Sequence, residues 1–233
     1  MKKEDLPQDA SALVGVTREV CYVKGSDGKY HIINVVCADE WAENVDDNAY
    51  TNGMTKEVLE FAIDAADELH LEANPMWEEV MKNLVILKDV NGVTMEHATY
   101  KGEIIKQADV NLLSYPMHQV STSEDIKRDL HYYEAKMSPD GPAMSWAILS
   151  ILYARLGESE KAHDLMVKSY LPNEVPPFKV LAETAGGDNP YFATGAGGVA
   201  AGRAAGGRPP ARAQRRAAEG ARTLRRGHAA AAA

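Results

Sequence analysis

Cysteine is scarce in this chain. Cys21 and Cys37 are the only two in 233 residues, and they lack a Cys-x-x-Cys spacing, so a disulfide framework is excluded and a reducing, cytoplasmic setting is expected. Long apolar runs are missing too: none approaches the 18 residues a membrane helix needs, and Met1-Lys2-Lys3-Glu4-Asp5 leads into no hydrophobic signal core. The seven histidines are scattered, with no His-Glu-x-x-His and no close pair, which leaves no basis for a zinc site. Asp46-Asp47-Asn48 is too short and irregular for a calcium loop. Neither a metal nor a cofactor is expected.

Positive charge is scarce as well, except at one end. Eight arginines fall in residues 201–233 against the single acid Glu219, so the first 200 residues hold 17 basic and 33 acidic side chains. A body that acidic repels phosphates, which argues against nucleic acid or an anionic membrane as its partner. The same 33 C-terminal residues contain 13 Ala and 5 Gly, no Lys, and Leu224 as the only large aliphatic, too little to bury as a packed element. The expected organisation is therefore one domain over 1–200 and a low-complexity tail over 201–233, read either as a polyanion-binding arm or as out-of-frame sequence. With 45% hydrophobic residues overall, the body can build a real core.

Its pattern is mainly helical. Glu19–Val23 and Tyr30–Val36 flank the turn-rich Gly25-Ser26-Asp27-Gly28, a β-hairpin. After it, Thr55 is a plausible N-cap, and Val58, Leu59, Ala62, Ile63, Ala66 and Leu69 recur at helical spacing over about four turns. A second helix is expected from Asn74-Pro75, a third from Ser123, a nearly all-apolar one over 142–156 stopping at Gly157, and its partner over 159–170. Helix pairs joined by loops imply an all-α toroid or solenoid with small β insertions. Gly195-Ala196-Gly197-Gly198-Val199-Ala200 fits Gly-x-Gly-x-x-Ala, but a dinucleotide site needs a preceding strand, and the surroundings read as helix.

Two acidic, amide-rich stretches stand out, 37–52 and 181–189, about 140 residues apart. Each offers a carboxylate near aromatic or amide groups, the materials of acid/base cleavage of a sugar, and a neutral sugar suits the acidic body. An inverting reaction needs one carboxylic acid over the leaving oxygen and one carboxylate over a water, about 6.5–9.5 Å apart. Only a fold can join segments so distant.

Five motifs in order carry a resemblance: Asp39-Glu40-Trp41-Ala42-Glu43-Asn44-Val45-Asp46-Asp47-Asn48-Ala49-Tyr50-Thr51-Asn52, Lys106-Gln107-Ala108-Asp109-Val110, Tyr132-Tyr133-Glu134, Asp140–Trp146 and Thr194–Gly198. Together they resemble glycoside hydrolase family 65, whose resemblance implies an (α/α)6-barrel catalytic domain acting on α-glucosides by inversion. The same resemblance places a β-sandwich and the first half of the barrel upstream, so residues 1–200 correspond to its second half. Helix faces such as Val58-Leu59-Ala62-Ile63 would then lie open to self-association.

Carried over residue by residue, Glu40 matches the family's general acid. Trp41 and the apolar Val35-Val36 are candidates to desolvate it and so raise its pKa. Lys106 and Gln107 match the pair that holds sugar hydroxyls, and Trp41 and Asn48 join the substrate-binding set. Glu183 resembles the general base of the family's hydrolases; phosphorylases have no use for a carboxylate there, since it would repel phosphate. The 140–144 loop also resembles hydrolases, whereas phosphorylases offer His and Ser in that loop and Tyr-His where this chain has Trp41-Ala42. The reading is an inverting glycosidase for an α-linked glucose disaccharide or oligosaccharide. Its alternatives are a phosphorylase of the same family and, from another class, a non-catalytic helical scaffold suggested by Ala154–Ala162, for which no second copy appears about 34 residues away.

Overall fold

A computed structural model describes residues 22–187 and 189–205. Strands β1 (Tyr22–Lys24) and β2 (Tyr30–Ile32) precede helices α1 (Ala49–Glu68), α2 (Pro75–Asn83), α3 (Ser123–Glu134), α4 (Met144–Arg155) and α5 (Ser159–Lys168); β3 (Glu174–Val175), β4 (Val180–Leu181) and α6 (Ala193–Ala205) close the described chain. The architecture is mainly helical with two small antiparallel hairpins, as the sequence pattern implies. Among the described residues no helix is long and apolar enough to cross a membrane.

The first hairpin pairs Tyr22 with Ile32 and Lys24 with Tyr30. Gly28 supplies the left-handed turn position at φ +78°. The part of the expected hairpin before Tyr22 lies outside the described residues.

Helix α1 differs from its expected start. It begins at Ala49, not after Thr55, because the Asn48 side chain accepts from the Thr51 N–H and caps it there. Sequence periodicity misses this first stretch because its inward residues are Ala49, Asn52 and Gly53, small or polar rather than large and apolar. Of the face expected to lie open, Leu59 is buried with Tyr30, Ile32, Val80 and Leu84 in a small core between hairpin, α1 and α2, while Val58, Ala62 and Ile63 are half-buried. Exposed apolar surface sits around the helix at Phe61, and at Leu69 and Leu71 beyond its end. Asn74 caps α2 with Pro75 at its first turn, and Thr122 caps α3.

The main core gathers around α4. Its residues are apolar all round, which demands burial on every side. Trp146, Leu149, Ile151, Leu152 and Tyr153 are all buried. Around it, α5 and α6 pack on two sides, and Leu130 and Tyr133 of α3 join the same core. Gly157, at φ +84°, ends α4 in the left-handed conformation and lets α5 double back.

The Gly-x-Gly-x-x-Ala run lies inside α6, so it forms no phosphate-binding turn. Its small residues serve close helix packing: a Cβ on Gly198 would come within 2.9 Å of the Ala147 Cβ on α4. Helix α6 also runs through residue 200, so the boundary drawn there falls within an element; the tail after residue 205 lies outside the described residues.

This division between core and surface yields a stability contrast. Leu149→Ala is expected to cost about 2–5 kcal/mol, and Phe61→Ala well under about 1 kcal/mol, in urea unfolding followed by circular dichroism. Equal losses would show that α4 is not the centre of the core.

Candidate active site

The loop after β2 is folded back on itself. Val35 and Val45 exchange backbone hydrogen bonds of 2.9 and 3.1 Å, and the Ala42 and Cys37 N–H groups close the tip onto the Asp39 and Ala42 carbonyls. Glu40 and Trp41 stand at that tip, exposed.

Asp39, beside them, turns inward and is 2% exposed. Its Oδ1 accepts from the backbone N–H of Lys106 at 2.8 Å and of Trp41 at 3.3 Å. Its own N–H donates to Asp109 Oδ2 at 3.3 Å, and the Gln107 amide donates to the Ala38 carbonyl. Three hydrogen-bonded links therefore hold the tip against the 106–109 segment.

That segment is in turn fixed to the helical core. In the stretch after α3, the Lys136 carbonyl accepts from the Ile105 N–H and the Ser138 N–H donates to the Ile105 carbonyl, and the Ala108 N–H donates to Ser145 at the start of α4. Gly141 passes so close that a Cβ would lie 2.1 Å from the Lys106 carbonyl oxygen. On the other side of the α4 start, the Ala143 N–H donates to the Glu183 carbonyl at 3.0 Å, and Asn173 donates to the same carbonyl. Asn189 orients the Glu183 carboxylate through a 3.0 Å bond.

These ties bring the two acidic stretches together. The Lys106 Nζ lies 2.5 Å from Glu40 Oε2 and 3.7 Å from Glu183 Oε1, so those oxygens are separated by no more than the sum of the two contacts, 6.2 Å. The Lys106 ammonium is held above its ordinary pKa, chiefly by its hydrogen bond to Glu40.

The remaining residues singled out in the sequence are placed differently. Gln107 is buried beneath the tip. Asn48 is fully buried, with its oxygen on the α1 cap and its amide nitrogen on Asp109 and the Glu96 carbonyl, so it is part of the scaffold and presents nothing to a ligand. Trp41 and Val36 do not cover Glu40: Trp41 is 60% exposed, Val36 55%, and the Glu40 side chain itself 59%, so the expected apolar cover over this carboxylate is absent.

Sequence reasoning passed over the acids beneath the tip. Asp39, Glu96 and Asp109 are each at most 2% exposed. Burial, reinforced by their mutual repulsion, pushes Glu96 up to about 9 and Asp109 up to about 7, against the pull of the Asn48 amide on Asp109. For Asp39 and Asp109 a signal existed, since both sit within the quoted motifs. For Glu96, in Val93-Thr94-Met95-Glu96-His97, spacing offers none.

Two carboxylates thus meet on one lysine, carried by loops of a mainly helical scaffold. Sequence comparison assigns the family: the model of the glycosyl hydrolase family 65 central catalytic domain matches residues 17–103 and 89–172. The chain belongs to that family. It is 50% identical over 177 residues to the kojibiose hydrolase of Mucilaginibacter mallensis, covering 76% of this chain and 26% of the relative. It is 36% identical over 176 residues to the protein-glucosylgalactosylhydroxylysine glucosidase of Danio rerio, covering 74% and 27%. Among solved structures, a putative kojibiose phosphorylase from the human microbiome superposes with a TM-score of 0.53 at 17% identity over 64% of this chain and 29% of that one, a likeness of fold. The chain thus spans about a quarter of the length of these relatives.

The buried acids make a pH prediction. Both Glu96 and Asp109 bind a proton more tightly folded than unfolded, so their contribution is complete below about pH 4 and is lost as pH rises through about 7 for Asp109 and about 9 for Glu96. Thermal melts are expected to fall between pH 7 and 9, by an amount of order 2 kcal/mol, and Glu96→Gln is expected to flatten that fall. A variant with the parent's slope over this window would exclude Glu96 as its source.

Proposed function

We propose that this segment supplies the catalytic carboxylates of an inverting α-glucosidase, with Glu40 as general acid, Glu183 as general base, and Lys106 with Gln107 toward the sugar. The observation that carries the reading is the convergence of Glu40 and Glu183 on the Lys106 ammonium. The two facing oxygens, at most 6.2 Å apart, lie just short of the roughly 6.5–9.5 Å that an inverting pair spans, so the reading requires the carboxyls to part as sugar and water replace the ammonium. The residue pattern supports it, because the stretch around Glu183 resembles the one that carries the base in the family's hydrolases.

In this mechanism a glucoside enters with its glycosidic oxygen toward Glu40, which takes up a proton from solvent as Lys106 leaves it and gives that proton to the leaving group. Glu183 takes a proton from a water that attacks the anomeric carbon from the opposite face. Lys106 moves from the carboxylates to a sugar hydroxyl, offering up to three N–H donors. The substrate class favoured is an α-linked glucose disaccharide such as kojibiose, by similarity to the relative that is 50% identical. A phosphorylase would have to bring phosphate between two carboxylates, which their charge opposes.

We also propose that residues 1–200 form the second half of a barrel. Loops of the first half then supply the remaining sugar contacts, and an inverting site depends on positioning to a fraction of an ångström. The 233-residue chain alone is therefore expected to release no glucose from kojibiose. A monomeric preparation that does so would show the other half to be dispensable.

The roles themselves are tested by replacing the matching segment of the Mucilaginibacter mallensis kojibiose hydrolase with residues 22–187 of this chain. The chimera should hydrolyse kojibiose at a rate indifferent to phosphate. Glu183→Gln and Glu40→Gln should each lower kcat about 10²–10⁴-fold with KM little changed. Turnover that stops when phosphate is removed would establish the phosphorylase reading, and a Glu183→Gln chimera of undiminished kcat would remove Glu183 from the chemistry.

A further inference from the structure

Asn-Gly occurs twice in the chain, at Asn52-Gly53 and Asn91-Gly92, and the fold places the two pairs in opposite settings. An asparagine followed by glycine is open to attack on its own side chain. The glycine nitrogen, with no Cβ beside it, can reach the asparagine Cγ and close a five-membered imide, provided the backbone is free to turn. The surroundings therefore decide which pair reacts.

Asn52 and Gly53 lie in the first turns of α1, both buried. The Asn52 N–H donates to the Asn48 carbonyl at 2.9 Å, and its Nδ2 donates to the Val85 carbonyl at 2.9 Å. Gly53 is packed so closely that a Cβ would fall 2.3 Å from Leu113 Cδ2. Helix hydrogen bonds and close packing together deny this pair the rotation that ring closure needs.

Asn91-Gly92 sits at the tip of a turn between Lys88 and Thr94, which pair as an antiparallel bridge. Asn91 is exposed, as is Val90 before it, and the half-buried Gly92 adopts φ +80°. The bonds that close this turn are local. The Asn91 and Val93 N–H groups donate to Asp89 Oδ1 at 2.8 and 2.9 Å, the Gly92 N–H donates to the Asp89 carbonyl at 3.0 Å, and Asn91 Nδ2 donates to Asp89 Oδ2 at 3.4 Å. Such bonds, at a tip in water, open and close without disturbing the core, and each opening frees the Gly92 nitrogen.

From this contrast we infer that Asn91 is a modification site: attack by Gly92 converts it into a mixture of aspartate and isoaspartate, while α1 holds Asn52 intact. The Gly92 nitrogen gives its proton to a solvent base and bonds to Asn91 Cγ; the Cγ–Nδ2 bond breaks, and that nitrogen leaves as ammonia with a proton from water. Water then opens the imide. Attack at Cγ gives aspartate, and attack at the backbone carbonyl carbon gives isoaspartate, in which the chain runs through the former side chain. One water is consumed and one ammonia released, so no co-reactant beyond solvent is needed.

The product differs from the parent where the turn meets α3. In aspartate, the amide that donates to Asp89 becomes a carboxylate facing a carboxylate, which repels it. In isoaspartate the backbone is one carbon longer ahead of Gly92, which displaces the Gly92 carbonyl from Arg128 Nη1, its donor at 3.2 Å. The inference does not depend on the hydrolytic reading, because none of these groups belongs to that site.

The test is to hold the whole 233-residue chain at mildly alkaline pH below its melting temperature, beside a sample unfolded in urea, with circular dichroism to verify each state. Both samples are then digested at acidic pH and mapped by mass spectrometry with electron-transfer fragmentation, which separates isoaspartate from aspartate. In the folded chain Asn91 is expected to convert at least about tenfold faster than Asn52, and in urea the two rates should agree within about twofold, since only the fold distinguishes the pairs. Isoaspartate is expected among the products at residue 91. Asn91 left intact in the folded chain when the unfolded sample is half converted, Asn52 converting as fast as Asn91 without urea, or a product free of isoaspartate would each overturn the proposal.

Discussion

Everything at this site depends on one buried carboxylate. Asp39 gives its oxygen to the backbone of Lys106 and of Trp41 and its N–H to Asp109, so it fixes a surface loop to a segment nearly 70 residues further on. Hydrogen bonds from backbone N–H groups to a carboxylate are among the stronger ones available, and here they are shielded from water. Without that anchor Glu40 would belong to a free loop tip, and Lys106 would have no fixed partner. The anchor is expensive: Asp39 shares the interior with Glu96 and Asp109, and all three are pushed toward their protonated forms. Acids that disfavour one another are thus concentrated beneath the two carboxylates assigned to chemistry, a placement in keeping with the tendency of perturbed groups to gather at functional sites.

The helical scaffold answers to simpler forces. Helix α4 had to be central because none of its faces is polar enough for water, and α5 and α6 are there because α4 needs covering. Gly198 permits the nearest approach of α6, just as Gly141 permits that of the 138–142 loop to Lys106. In both places what matters is the absence of a side chain.

This explains which parts of the protein could be read from its sequence. Helices α2, α4 and α5 were legible because apolar spacing, Pro75 and Gly157 mark them. The start of α1 was not, since its cap is Asn48 and its inward residues Asn52 and Gly53 look like surface. The pairing of Glu40 with Lys106 and Glu183 was legible only through ordered motifs, for no local pattern links residues so far apart. Asn48 shows the limit of that route: it lies within the same motif as Glu40, yet its side chain is committed to a helix cap and to Asp109. Trp41 shows another, because adjacency in sequence suggested a cover over Glu40 where the loop leaves the Trp41 side chain largely in solvent. Glu96 had no signature at all, as its burial is a product of tertiary packing around a residue type that is usually solvated.

The lysine that bridges Glu40 and Glu183 has one further consequence. It makes the resting site its own occupant: before anything else can touch both carboxylates, an internal cation already does. An incoming molecule must therefore compete with a group whose effective concentration is fixed by the chain, and its apparent affinity is the difference between two sets of contacts rather than the strength of one. Screening acts on this contest in an unusual direction. Salt loosens the half-exposed ion pairs of Lys106 while leaving a neutral sugar's hydrogen bonds almost untouched, so ionic strength opens the latch instead of weakening the guest.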